Sequence, residues 1–255
     1  MYKSEIGVLL SSFSPIALNE MDEVSLMDRV ETKYIFSSGK LPLILNQLYD
    51  NYSILEIDTI RCFAYTTTYL DTPEDMFFHQ QVTGKLNRYK VRYRRYESTG
   101  DSFLEIKKKT NRNRTIKWRI VNSLSLDSFD KSASGFIREY LPYNGLILNP
   151  VLVNEFDRIT IVNTEFKERI TMDYNLTFNS FDGNKSELPF LSIAELKRER
   201  HSGTSLFGTI MKNMHIQPNR FSKYSIGSAL TREIARKNTL KSNMLIIKKI
   251  ENEYN

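Results

Sequence analysis

Cysteine and histidine are scarce in this chain. Of its 255 residues one is cysteine, Cys62, and three are histidines, His79, His201 and His215. A lone cysteine excludes an internal disulfide, and this scattered set has none of the spacings of a zinc site. The histidines are read as structural or surface residues. Glycine is also sparse, at ten residues. Neither G-x-x-x-x-G-K-[ST] nor G-x-G-x-x-G occurs, which excludes the familiar Gly-rich phosphate cradles. The protein-kinase motif set is missing too. No run of 18 apolar residues exists, which excludes a transmembrane helix of ordinary length. Met1 to Glu20 lacks the basic start and small-residue cleavage site of a signal peptide. These absences predict a cytoplasmic protein. There is no fixed-period repeat, low-complexity tract or linker rich in Pro, Gly or Ser, so a single domain over 1–255 is the simplest organisation.

What is present is charge and alternation. The formal charge is +6 and the sequence pI about 9.2. Nucleic acid, membrane headgroups and polyphosphates all fit such a balance. Period-two patterns predict strands over Arg29–Phe36, Arg61–Leu70, Asn87–Glu97, Ser102–Lys109, Arg114–Val121, Val151–Val162, Glu165–Phe178 and Leu191–Glu199. Ser98–Asp101 and Thr110–Asn113 read as hairpin turns. Helical spacing appears over Lys40–Asn51, Glu74–Thr83, Ser125–Leu141 and Gly203–Met214. It also appears in parts of Ser225–Glu253, a lysine-rich tail whose plain reading is a solvated basic helix. About eight strands, mostly antiparallel neighbours, predict an α+β fold: a closed antiparallel β-barrel with flanking helices.

The content of the strands is the informative feature. Residues i, i+2 and i+4 of a strand share a face. Lys90, Arg92 and Arg94 therefore point one way, opposite Val91 and Tyr93. Glu105, Lys107 and Lys109 oppose Leu104 and Ile106. Lys117 and Arg119 oppose Ile116, Trp118 and Ile120. Arg29, Glu31 and Lys33 oppose Val30 and Tyr34. Arg169 and Asp173 oppose Ile170 and Met172, and Glu195 and Lys197 oppose Ala194 and Leu196. Each strand thus has one apolar face and one ionic face. A sandwich with solvated charged faces would give the same split. Here, however, cations cluster at consecutive same-face positions, where like charges repel unless an anion or carboxylate intervenes. Single carboxylates, Glu31, Glu105 and Glu195, sit among them. Such a pattern suits phosphates held by Lys and Arg and a divalent metal held by carboxylates.

These residues also carry a family resemblance. Arg29-Val-Glu31-Thr-Lys33-Tyr34 resembles the R-x-E-x-K-Y opening strand of VTC domains, the polyphosphate polymerase branch of the triphosphate tunnel metalloenzymes (the CYTH-like superfamily). Arg29 stands where broader members have a first Glu, which favours the polymerase branch. Tyr69-Leu-Asp71-Thr72-Pro73 resembles the family's Y-x-D-T-P strand end. Arg88-Tyr-Lys90-Val-Arg92-Tyr-Arg94-Arg-Tyr96 resembles its R-Y-K-x-R-x-R-x-Y strand. Leu104-Glu105-Ile-Lys107, Lys117-Trp-Arg119, Arg158, Arg169-Ile-Thr-Met-Asp173, Glu195-Leu-Lys197 and Phe221-Ser222-Lys223-Tyr224 follow in order. The core of the likeness runs over about 29–227, leaving a helical tail of about 228–255.

The resemblance implies a β-tunnel that moves the terminal phosphoryl group of ATP onto a growing polyphosphate chain. It implies a divalent metal, Mn2+ foremost with Mg2+ possible. Lys33, Arg92, Arg94, Lys107 and Lys197 are then the catalytic candidates. Lys90, Lys117, Arg119, Arg158, Arg169, Ser222, Lys223 and Tyr224 are candidates for binding substrate. Glu195 leads as metal ligand, with Glu31 and Glu105 either ligating metal or orienting cations. No side chain stands out as a covalent nucleophile. Larger eukaryotic proteins of this kind carry sensing and membrane domains, so a membrane partner would have to come from another chain. The rivals are a tripolyphosphatase or nucleoside triphosphatase on the same tunnel, a non-catalytic polyphosphate- or nucleotide-binding module, and a nucleic-acid-binding barrel. Nucleic-acid binders show aromatics beside cations, whereas Tyr34, Tyr93 and Trp118 fall on the packing face. The expected ligands are therefore ATP or another triphosphate and polyphosphate, not nucleic acid.

Overall fold

The computed structural model describes residues 2–21, 29–112, 114–123, 129–200 and 203–254. Its strands are β1 Ser14–Ile16, β2 Arg29–Ser37, β3 Ser53–Leu55, β4 Cys62–Asp71, β5 Arg88–Tyr96, β6 Ser102–Lys109, β7 Thr115–Val121, β8 Asn149–Asn163, β9 Glu168–Ser180, β10 Lys185–Leu188 and β11 Leu191–Glu199. The helices are α1 Tyr2–Ser11, α2 Leu41–Asn46, α3 Met76–Val82, α4 Lys131–Tyr140, α5 Leu206–Asn213, α6 Lys223–Thr231 and α7 Lys241–Tyr254. Eight strands form one antiparallel path in the order β2-β11-β9-β8-β4-β5-β6-β7. The fold is α+β and antiparallel, as the alternation predicts.

The expected closure of the barrel does not occur. The path ends at β2 and β7, which share no ladder. The inner cations of β7, Lys117 and Arg119, stand exposed along its edge, and exposed charge on an edge strand opposes further pairing. The sheet is nevertheless strongly bent. Lys33 of β2 and Lys90 of β5 lie five strands apart on the path, about 24 Å if the sheet were flat. Yet Lys33 Nζ donates to the Phe221 carbonyl at 3.4 Å and Lys90 Nζ to Ser222 Oγ at 3.1 Å. Two side chains can meet adjacent residues only if the sheet curls into a trough, and residues 221–222 tie its two walls together.

The apolar faces of the strands point outward and are covered by helices. Tyr34, Ile159, Ile161, Ile170, Met172, Ala194 and Leu196 pack beneath α1, α2 and α5 with Ile6, Leu41, Ile44, Phe207 and Met211. Val91, Tyr93, Leu104 and Ile106 pack beneath α4 with Ala133 and Phe136. The helix α6 lies instead inside the trough. A Cβ added at Gly227 would stand 2.3 Å from Phe178 Cδ1 and 2.8 Å from Leu152 Cδ2, so the absence of a side chain is what seats the helix on β8 and β9.

Some elements differ from the sequence expectation. The α2 helix stops at Asn46 and not Asn51, because Gln47, Leu48 and Asn51 donate to carbonyls three residues back, a tightened turn. The α4 helix starts at Lys131, where the Asp130 carboxylate accepts from Ala133 N at 2.7 Å; residues 125–128 of the expected helix lie outside the described residues. So do Asn113, His201 and the side chain of Arg29. The tail is two helices, not one solvated helix, and α7 buries Ile247 and Ile250. Strands β1, β3 and β10, at three to four residues each, and α1 have no counterpart in the sequence reading. Among the described residues no helix is long and apolar enough to cross a membrane.

Candidate functional site

The register of the strands places the ionic residues on one continuous inner face. Lys33 pairs with Glu195, Glu31 with Lys197, and Lys197 with Arg169. Arg158 pairs with Asp173. Arg92 pairs with Glu105, Lys90 with Lys107, Glu105 with Arg119 and Lys107 with Lys117. Bending of the sheet turns this face into the lining of the trough.

Three carboxylates organise the cations into groups. Glu105 is fully buried; it accepts from Arg92 Nε and Nη2 at 2.8 and 2.7 Å on one oxygen and pairs with Lys117 on the other. Burial alone would raise its pKa, but Arg92, Arg94 and Lys117 hold it well below the carboxylate range. Both Glu105 oxygens are thus engaged by cations, and of its two expected roles the orienting one matches this placement. Asp173 grips Arg158 at 2.6 and 2.7 Å and Lys223 at 2.6 Å. Burial opposes its charge, and Arg158 and Lys223 outweigh burial, so its pKa is also held low. Glu195 pairs with Lys197 at 2.7 Å and Lys33 at 3.3 Å, and is 21 % exposed, so it alone of the three opens to the lumen. Its pKa is likewise low, with burial overcome by Lys33 and Lys197.

The remaining cations are left over. Among the described residues no carboxylate lies within ion-pair distance of Lys90, Arg94 or Lys107. Burial, then Lys33 and Arg92, push the Lys90 ammonium down to about 7. Burial, then Arg92 and Arg158, push the Arg94 guanidinium down to about 10. Arg92, then burial, lower Lys107 well below the lysine range. Charge drawn from water without a partner, fully at Arg94 and in part at Lys90 and Lys107, is unfavourable. A polyanion in the trough would relieve all three at once.

The other candidates are distributed less evenly. Lys223 and Ser222 open α6, where Ser222 Oγ caps the helix by accepting from Ser225 N. Tyr224 is 2 % exposed, and its hydroxyl donates to Asp71, which also accepts from Phe77 N and Phe78 N at the start of α3. It ties α6 to α3, and its ring stacks on that of Tyr69 with centres 4.9 Å apart. Arg119 lies exposed on β7, its guanidinium 4.8 Å from the centre of the Phe103 ring. Glu31 sits at the exposed end of β2, diagonal to Glu195. Among the described residues no three Asp, Glu, His or Cys side chains converge as a protein-only metal site. One or two carboxylates, Glu195 with Glu31, suit an ion that takes its other ligands from phosphate oxygens.

Aromatic residues were missed by the sequence reading. Tyr34, Tyr93 and Trp118 do lie on the outer face, but Tyr65, Tyr69, Tyr96, Phe103 and Phe156 share the inner face with the cations. Arg94 and Arg158 stand 5.5 and 5.2 Å from the Tyr65 ring centre, and Lys223 Nζ stands 2.9 Å from that of Phe156. The alternation Phe63, Tyr65, Thr67, Tyr69 was visible in the sequence, but aromatic residues in a strand read as packing.

Comparison with solved structures gives matches at low identity. A candidate adenylate cyclase from Vibrio parahaemolyticus is 15 % identical, with a TM-score of 0.48 over 80 % of this chain and 99 % of that one. Another from Bacillus halodurans is 16 % identical, with a TM-score of 0.48 over 76 % and 94 %. A candidate adenylyl cyclase from Hippeastrum that reveals a dominant triphosphatase activity is 11 % identical, with a TM-score of 0.43 over 80 % and 96 %. No curated protein matches the sequence. The family model for the VTC domain matches residues 28–232, so the chain belongs to the VTC domain family.

Proposed function

We propose that this protein is an ATP–polyphosphate phosphotransferase, a polyphosphate polymerase. The observation that carries the reading is the set Lys90, Arg94 and Lys107, with Arg94 buried and the two lysines half-buried in the trough, and none with a carboxylate partner among the described residues. Membership of the VTC family supports it. Phosphoryl transfer needs positioning and charge neutralisation more than covalent help, and the lumen offers both. In this reading Lys33, Arg92, Arg94, Lys107 and Lys197 surround the transferred phosphoryl group. Lys90, Lys117, Arg119, Arg158, Arg169, Ser222 and Lys223 hold the rest of the triphosphate and the acceptor. Arg grips phosphate oxygens bidentately, and Lys acts as a mobile point charge. Glu105 and Asp173 aim Arg92, Lys117, Arg158 and Lys223 inward. A terminal oxygen of the polyphosphate chain attacks the γ-phosphorus, the bond to the β-phosphate bridging oxygen breaks, and ADP leaves.

A divalent cation, held by Glu195 with Glu31, neutralises phosphate charge when bound. Replacing Glu195 by Gln is expected to lower turnover at least 100-fold, an order typical of losing an electrostatic contact made in the transition state, with the thermal unfolding midpoint retained. Full activity of that variant at limiting Mn2+ removes Glu195 from this role. The decisive experiment on the whole reading is incubation with ATP and Mn2+, with and without a short polyphosphate primer. Long-chain product is expected. Orthophosphate alone, under every metal and primer tried, identifies a hydrolase instead.

A further inference from the structure

The two ends of the trough differ in chemistry. At one end Arg88 pairs with Lys109, and the β6–β7 turn adds Arg112 and Arg114. At the other end the inner face is aromatic. Tyr96, Tyr65 and Phe156 stand side by side in register across β5, β4 and β8. Tyr65 stacks on Phe156 with ring centres 5.4 Å apart and 3° between planes, and Tyr96 lies 4.9 Å from Tyr65. Phe103 of β6 meets Tyr96 edge-on at 5.7 Å.

Packing accounts for only half of this row. Phe156 and Tyr65 join the core beside α6. Tyr96 and Phe103 join none of the hydrophobic clusters among the described residues, and both are partly open to solvent. They sit next to Arg94, which is two residues from Tyr96 on the same face and paired with Phe103. Arg119 stands over the Phe103 ring. Partly open rings beside cations at the end of a phosphate-binding groove match the chemistry of a nucleobase platform, because every base offers a π face and the cations take the phosphates.

We propose that Tyr96 and Phe103 form a nucleobase subsite at the aromatic end of the trough. It selects a nucleoside triphosphate over inorganic tripolyphosphate and orients its phosphates toward Arg94, Lys107 and Lys90. The growing chain then lies toward the basic end. This rests on the lumen being the triphosphate site.

The test is equilibrium binding by calorimetry of ATP and of inorganic tripolyphosphate, both with Mn2+, to the full chain and to the Y96A/F103A variant. ATP affinity is expected to fall at least about tenfold, the worth of one base–aromatic stack, while tripolyphosphate affinity stays as in the wild type. The Tyr96→Phe variant keeps the ring and is expected to retain ATP affinity. Equal loss of both ligands, or loss of neither, overturns the subsite. Tight tripolyphosphate binding by the wild type with no ATP binding also overturns it and leaves the lumen reading standing. A wild type that binds neither overturns both.

Discussion

Lys90 titrates near neutrality because burial and the like charges of Lys33 and Arg92 disfavour its ammonium form. Above pH 7 the ligand-free site has lost that proton, and a bound polyanion restores it. Apparent ATP affinity is therefore expected to fall as pH rises from 7 to 9, by up to about tenfold per unit. Lys90→Arg, which stays charged, is expected to remove the slope; an unchanged slope in that variant assigns the dependence to another group. Stability of the ligand-free protein runs the other way. Between pH 7 and the ordinary lysine range the unfolded chain holds the extra proton, so stability rises with pH. Asp173 has the opposite role. Its depressed pKa contributes stability at neutral pH that is lost as pH falls below the carboxylate range. Asp173→Asn leaves Arg158 and Lys223 buried without their carboxylate, and a loss of about 3–5 kcal/mol is expected in denaturant unfolding. Tripolyphosphate is expected to restore part of it by binding only the folded chain.

Among the elements, α6 decides the shape of the site. It seats on β8 and β9 through the missing side chain of Gly227 and presents Ser222 and Lys223 to the lumen. Gly227→Ala is expected to cost about 1–3 kcal/mol through overpacking and to weaken tripolyphosphate binding as Lys223 shifts from Asp173. Gly7→Ala on α1, where a Cβ meets nothing within 4 Å, is the control, expected to leave tripolyphosphate binding unchanged and to gain about 0.5–1 kcal/mol from helix propensity. Equal melting points for the two variants would show that the helix can shift without strain. The strands were legible where one face packs and the other is ionic, so period two holds over Arg88–Arg94 of β5, Leu104–Lys107 of β6 and Ala194–Lys197 of β11. The seat of α6 was not legible. The sequence shows helical spacing in parts of the tail, and only contact with Phe178 and Leu152 shows which surface α6 covers.

For the molecule as a whole, a polymerase needs a path that keeps each added phosphate neutralised. Lys109 on the inner face of β6 and Arg112 and Arg114 of the following turn gather at the basic end of the trough, whereas Lys108 lies over Tyr89 on the outer face. Changing Lys109, Arg112 and Arg114 to Gln is expected to shorten product chains while ATP binding in the lumen persists. Product of wild-type length makes that turn an ordinary solvated one. Added salt is expected to shorten wild-type product toward that of the variant, since exposed cations are screened over about 10 Å at 0.1 M, while ATP binding falls less because buried Arg92 and Arg94 are screened less.

The sequence by itself determined which side chains share a face, because alternation along a strand is local geometry. It also determined the ionic character of that face and, through its ordered motifs, the family. Tertiary structure decided what depends on distant parts of the chain meeting. The eight-strand sheet bends into a trough but stays open between β2 and β7, since closure depends on two edges 78 positions apart, at Ser37 and Thr115, coming into register. Glu105, Asp173 and Glu195 look alike along the strands and differ only through burial and neighbours. Two of them are enclosed by cations, and Glu195 remains open to the lumen. That Tyr224 also anchors a helix was not visible along the chain, because its hydroxyl meets Asp71, 153 residues away. The aromatic end of the trough arises the same way, when β4, β5, β6 and β8 bring their rings together across the sheet.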